Sequence, residues 1–153
     1  MSTSTPKELI TEDRWAVAET EAPPRVGIIR FRTPVLGPDQ VKGYPRCLRI
    51  LWGFADEGSG ALPDTLTTER LQTFENRVVE ALEQDAVAVL TAVLTFDGAR
   101  QWVFYTADVP SCAARIEGLP QEAEPYPIAL DVFEDPEWRY LRDEILATVP
   151  RDA

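Results

Sequence analysis

The chain has no histidine, only two cysteines, and far fewer basic than acidic side chains, 15 against 26. Each shortage removes a class of chemistry. Without histidine a Ser-His-Asp or Cys-His arrangement is impossible, and the commonest general base near neutral pH is missing. Cys47 and Cys112 lie far apart in sequence and, with no histidine to join them, cannot make a usual structural zinc site. Each has apolar neighbours and reads as a small buried hydrophobe. No P-loop or G-x-G-x-x-G stretch occurs, so no cofactor is implied. The net charge of −11 argues against a nucleic-acid partner and against anionic membrane surfaces, both of which need surplus Lys and Arg. Long apolar runs are lacking too. The longest nearly apolar run, Ala86 to Leu94, is too short to span a bilayer, and Met1 to Trp15 holds no apolar signal-peptide core. The expectation is a soluble cytoplasmic protein with no membrane attachment.

What is present fits one globular domain. At this length a domain buries about 68–70% of the surface its unfolded chain exposes, and four Trp, four Tyr and six Phe supply a core. The charge is uneven. Residues 1–52 carry 8 basic and 6 acidic side chains, a net +2, whereas residues 53–153 carry 7 basic and 20 acidic, a net −13. Such asymmetry suggests an acidic surface that steers a basic protein partner, with solubility alone as the plainer explanation.

Along the chain, residues 1–13 read as a flexible arm of small polar residues, and 14–153 as a single α+β domain. Trp15 to Ala18 and Val26 to Thr33 read as strands, and the Pro-rich stretch 34–45 as a loop. In the strand Cys47 to Phe54, Leu48, Ile50, Trp52 and Phe54 share one face. Thr67 is the expected cap of a helix to about Gln84, with Leu71, Phe74, Val78 and Leu82 inward and Glu75, Glu80 and Glu83 on its acidic outer side. Ala86 to Phe96 reads as a central strand, turned by Asp97-Gly98 into the return strand Arg100 to Thr106. A short helix from Asp108 and a strand Tyr126 to Phe133 follow. Asp135-Pro136-Glu137 then signals a last helix, with Trp138, Leu141 and Ile145 on one stripe. The order from Cys47 to Phe133 is β-α-β-β-α-β, a ferredoxin-like split β-α-β core with an extra N-terminal strand or hairpin and a C-terminal helix.

Three landmarks carry a family resemblance: Gly60-Ala61-Leu62-Pro63 before the long helix, the hairpin whose return strand holds Trp102-Val103-Phe104-Tyr105, and Asp135-Pro136-Glu137-Trp138. Together they look like the family numbered 695 among the domains of unknown function, over most of residues 15–150. The second half also resembles the regulator-of-ribonuclease-activity family B. That likeness implies an acidic α+β domain that inhibits a protein target and performs no catalysis.

Two functional readings follow. The first is a non-enzymatic acidic module, an inhibitor or immunity-type protein that masks a basic partner through Glu75, Glu80, Glu83, Glu134, Asp135 and Glu137. The alternative is a small-ligand binder or enzyme using Tyr105 and the carboxylate cluster Asp131, Glu134, Asp135 and Glu137, which helix capping and a solvated turn explain more simply. Arg30 and Arg32 share a strand face, either as charges guarding an exposed edge or as a seat for an anion. Tyr105 and Trp138 read as core aromatics, with ligand stacking as the other option.

Overall fold

The computed structural model describes residues 5–20, 27–54, 65–96, 98–120 and 126–148. Apolar side chains on both faces of the middle strands decide the architecture, because such strands need a covering layer on each side. The elements run α1 (Pro6–Glu12), β1 (Trp15–Thr20), β2 (Gly27–Arg32), β3 (Arg46–Gly53), α2 (Thr65–Glu83), β4 (Ala88–Phe96), β5 (Ala99–Thr106), α3 (Val109–Glu117) and β6 (Ile128–Glu134). A π-helix at Tyr140–Ile145 follows. All six strands join one antiparallel sheet in the order β1-β2-β4-β5-β3-β6, so the class is α+β. β3 and β4, linked through α2, are separated in the sheet by β5. The β4–β5 hairpin has Gly98 at φ +77°, a backbone conformation that suits glycine; Asp97 and the segment Gly60 to Pro63 lie outside the described residues.

One face of the sheet packs Leu48, Ile50 and Trp52 of β3, Leu90 and Val93 of β4, and Trp102 and Phe104 of β5 against α2 and α3. Leu71, Phe74, Val78 and Leu82 form the inward stripe of α2, and Phe74 meets Trp102 edge-on at 5.1 Å. The opposite face packs Ile29, Cys47, Val89, Ala92, Val103 and Tyr105 against Leu9, Leu36, Val41, Tyr44, Trp138, Leu141 and Ile145. In β4 the two-residue alternation slips, because a bulge lies between Leu90 and Ala92. Leu90 and Val93 therefore share a face, and the Thr91 hydroxyl donates to Val103 O at 2.8 Å.

Three expectations are corrected. Residues 5–13 are no arm: Thr5 Oγ1 accepts the Glu8 N–H at 3.3 Å, Pro6 takes the first helical position, and α1 ends at a left-handed Asp13. So short a helix is unstable alone, and burial of Leu9 in the second core holds it. Leu9 and Ile10 are adjacent and show no period, which hid the helix. Second, α2 is already formed at Thr65, so Thr67 is not its cap.

Third, the last helix begins a turn later than its Asp-Pro signal. The chain turns at Pro136-Glu137, where Trp138 N–H donates to Asp135 O at 3.0 Å, and Trp138 adopts φ +60°. That conformation is rare for a bulky residue and needs compensation. Trp138 has it: the ring stacks on Tyr105 at 4.4 Å and Nε1–H donates to Tyr44 O at 2.9 Å. The stripe Trp138, Leu141 and Ile145 is buried as expected.

Trp138 is 1% exposed. Trp138→Ala should therefore cost about 3–5 kcal/mol of stability, read from the urea midpoint at unchanged m-value. A loss below about 1 kcal/mol would place it outside the core.

Candidate functional site

The six carboxylates expected at one acidic surface divide into three groups. Glu75 and Glu83 turn inward. Glu75 lies four residues after Leu71 and three before Val78, on the apolar stripe itself, and is 5% exposed. Its Oε1 accepts from Arg30 Nη2 at 2.6 Å and from Trp102 Nε1 at 2.9 Å. Glu83 takes Arg32 in a two-pronged pair, Nη1 to Oε2 at 2.6 Å and Nη2 to Oε1 at 3.1 Å. The β2–β4 ladder ends at the Phe31–Ala92 pair, and beyond it the Leu90 N–H donates to Glu83 Oε2 at 2.9 Å. Arg32 also reaches Asp13 at 3.0 Å, whose Oδ1 accepts from Trp15 Nε1 at 2.7 Å. The Trp15 hydrogen bond, with Arg32 assisting, holds the Asp13 carboxyl below its usual pKa. Arg30 and Arg32 are thus not edge guards, and Arg32 is no open anion seat: β1 covers β2, and α2 supplies their counter-charges.

Asp135 is the second group. It is buried, and its carboxylate accepts from Tyr105 OH at 2.7 Å, Arg139 N at 2.8 Å and Tyr140 N at 2.9 Å. Burial, then the neighbouring Cys47 and Asp135, push the Tyr105 phenol upward. It stays protonated and donates to Asp135. The Cys47 thiol alongside is pushed up to about 12, chiefly by burial, and is not nucleophilic near neutral pH. Asp135, Tyr105 and Cys47 therefore brace the second core and are not poised for acid-base or nucleophilic work.

Glu80, Glu134 and Glu137 remain toward solvent. Glu134, its side chain 81% exposed, and Glu137 line a cavity of about 610 Å³ with Pro38, Asp39, Lys42 and Arg139; Asp135 also borders it, but Tyr105 does not. Glu137 accepts from Arg139 Nη2 at 2.9 Å. Among the described residues no group of three or more His, Cys, Asp or Glu side chains is placed to hold a metal ion.

The sequence reading missed β6 as a surface. β6 pairs with β3 on one side and, among the described residues, is an edge on the other. Leu130 is 45% and Val132 39% exposed there, beside Asp131 and Glu134, while Leu51 of β3 is open on the opposite face. Asp131 pairs with Arg49, whose guanidinium lies over Phe133 and Tyr140. The signal was faint: Ile128 to Glu134 is apolar enough for either an edge or a covered strand, but contains neither the Lys nor the Pro that usually blunts an edge.

Two measurements check this partition. Arg32→Met strands the buried Glu83 and should cost about 3–5 kcal/mol, much of it recovered when Glu83→Leu is added. Glu80→Lys should change stability by less than about 0.5 kcal/mol. For Cys47 the folded thiol titrates above the ordinary value of 9.0, at about 12. The unfolded state then holds fewer protons across that window, so stability falls as pH rises through it, by at most about 1.4 kcal/mol per pH unit. Cys47→Ala should flatten that fall in an alkaline series of urea melts.

Neither the curated proteins nor the solved structures give a match to the chain. A family model does match, over residues 13–145, from the end of α1 to the last residue of the π-helix. It covers the sheet, α2, α3, the π-helix and every carboxylate discussed above, and the chain belongs to the family of unknown function DUF695.

Proposed function

We propose that this protein is a non-enzymatic binding module that engages a basic protein partner along the edge of β6, as an inhibitor or immunity-type protein would. One observation carries the reading: an edge strand whose exposed Leu130 and Val132 alternate with the carboxylate of Asp131 and end at Glu134. An unpaired strand edge offers backbone donors and acceptors to an added strand, and the flanking side chains select the partner. Glu134 and Glu137 beside that edge, and Glu80 on α2, supply the negative field expected to draw a basic surface. Glu75, Glu83 and Asp135 take no part in contact, since internal hydrogen bonds occupy them. The enzyme alternative loses its support because Tyr105 and Asp135 bond each other inside the core.

The same proposal puts the protein in the cytoplasm. No described helix is long and apolar enough to cross a membrane, and two buried free cysteines suit a reducing compartment.

The test is association of the purified chain with a partner captured at low salt. The on-rate should fall steeply with ionic strength, as the Debye length shrinks from about 10 Å at 0.1 M to about 3 Å at 1 M. Glu80→Lys with Glu134→Lys should slow association more than it speeds dissociation. Leu130→Lys with Val132→Lys should abolish binding while leaving the circular dichroism spectrum unchanged. An acidic partner, or binding indifferent to salt and to all four substitutions, would overturn the proposal.

A further inference from the structure

At the opposite side of the sheet from β6, the first turns of α2 stand over β1, β2, β4 and β5 and leave a pocket of about 350 Å³. Its walls follow from strand register. Val17 of β1 faces Arg30 of β2, Ile28 lies two residues before Arg30 on the same face, Val93 and Thr95 come from β4, and Arg100 from β5; Thr68 and Gln72 of α2 close the top. Two guanidinium groups thus converge on one small space in a protein of net charge −11.

The two arginines are not equivalent. Arg30 is held by Glu75 at 2.6 Å. Arg100 makes no ion pair among the described residues; its Nε donates to Thr95 Oγ1 at 2.8 Å, which leaves the outer nitrogens of its fork uncommitted. Burial, with Arg30 as a nearby like charge, lowers the Arg100 pKa, although Glu75 opposes that shift. The local charge of Arg30, Arg100 and Glu75 is +1, an imbalance that one monoanion would neutralise. A carboxylate matches the planar fork in shape and in charge. Val17, Ile28 and Val93 add apolar wall beside it, suited to a short hydrocarbon tail.

We propose that this pocket binds a small monocarboxylate with a short apolar tail, its carboxylate on the Arg100 guanidinium and its tail against Val17, Ile28 and Val93. The site is independent of the β6 edge, from which β3 and β5 separate the other pocket strands.

The experiment titrates the full chain with butyrate at constant ionic strength and follows the Arg100 Nε–H and the Gln72 and Thr95 amides by NMR. Saturable shifts are expected at all three. Butyrate should bind up to about fourfold tighter than propionate, the value of one buried methylene. Inorganic phosphate should bind more weakly than butyrate, and neutral butyramide should leave the spectrum unmoved. Arg100→Gln should weaken butyrate binding at least about tenfold, the loss of one charge-assisted pair. Gln72→Glu, a change at an exposed position of α2, should also weaken it by adding a repelling carboxylate, and decides the matter if Arg100→Gln does not fold. The proposal is wrong if butyrate gives no saturable shift, if butyramide binds equally well, or if the folded variants bind as the parent does. Phosphate binding above butyrate would make the site a phosphate site and reject the carboxylate.

Discussion

The salt bridge between Arg32 and Glu83 sets much of the rest of the molecule. Both side chains are nearly excluded from solvent, 4% and 8% exposed, and a buried charge left alone would cost several kcal/mol. The end of α2 must therefore lie where Glu83 reaches β2. From that position Glu83 also satisfies the Leu90 N–H just beyond the last β2–β4 pair. Arg32 extends the same network to Asp13 and so ties the end of α1 to the sheet, with Trp15 under the arginine at 4.9 Å. Two turns earlier on α2, Glu75 repeats the arrangement with Arg30 and the Trp102 indole.

Asp135 plays the matching part on the other face. Its carboxylate takes the Tyr105 hydroxyl from the sheet and two N–H groups from the start of the closing helical segment. Its own N–H donates to Pro45 O at 2.8 Å. One residue thereby joins β5, the loop before β3 and the C-terminal segment, where Trp138 lies in a left-handed backbone conformation against Tyr105. Both knots use carboxylates as structural acceptors, and this removes half of the six candidate carboxylates from any binding face.

That loss narrows the carboxylates that the proposed binding face can use. Of the remaining acidic groups, Glu134 and Glu137 border one cavity, and Glu80 stands on the outer side of α2. Charge singled out Arg30, Asp131 and Glu134, but neither the open edge of β6 nor the meeting of Arg30 with Arg100 at one pocket is legible from it. Among the described residues no strand pairs with the outer side of β6, and at the pocket the start of α2 stands above side chains of four strands.

The chain's pattern alone determined the α+β class, the β4–β5 hairpin, the inward stripe of α2 and the burial of Cys47, Cys112, Tyr105 and Trp138. Each follows from spacing or apolarity within a short window. The same window misjudged α1, because Leu9-Ile10 has no period, and it placed the last helix at Asp135-Pro136 although Trp138 needed one more turn to reach Tyr105. It also assigned Glu75 and Glu83 to the surface by residue type. Only the tertiary structure decided their burial, since a glutamate may face inward only when an arginine distant in sequence arrives opposite it. Arg30 and Arg32 lie 45 and 51 positions from their partners, and no local rule sees across that distance.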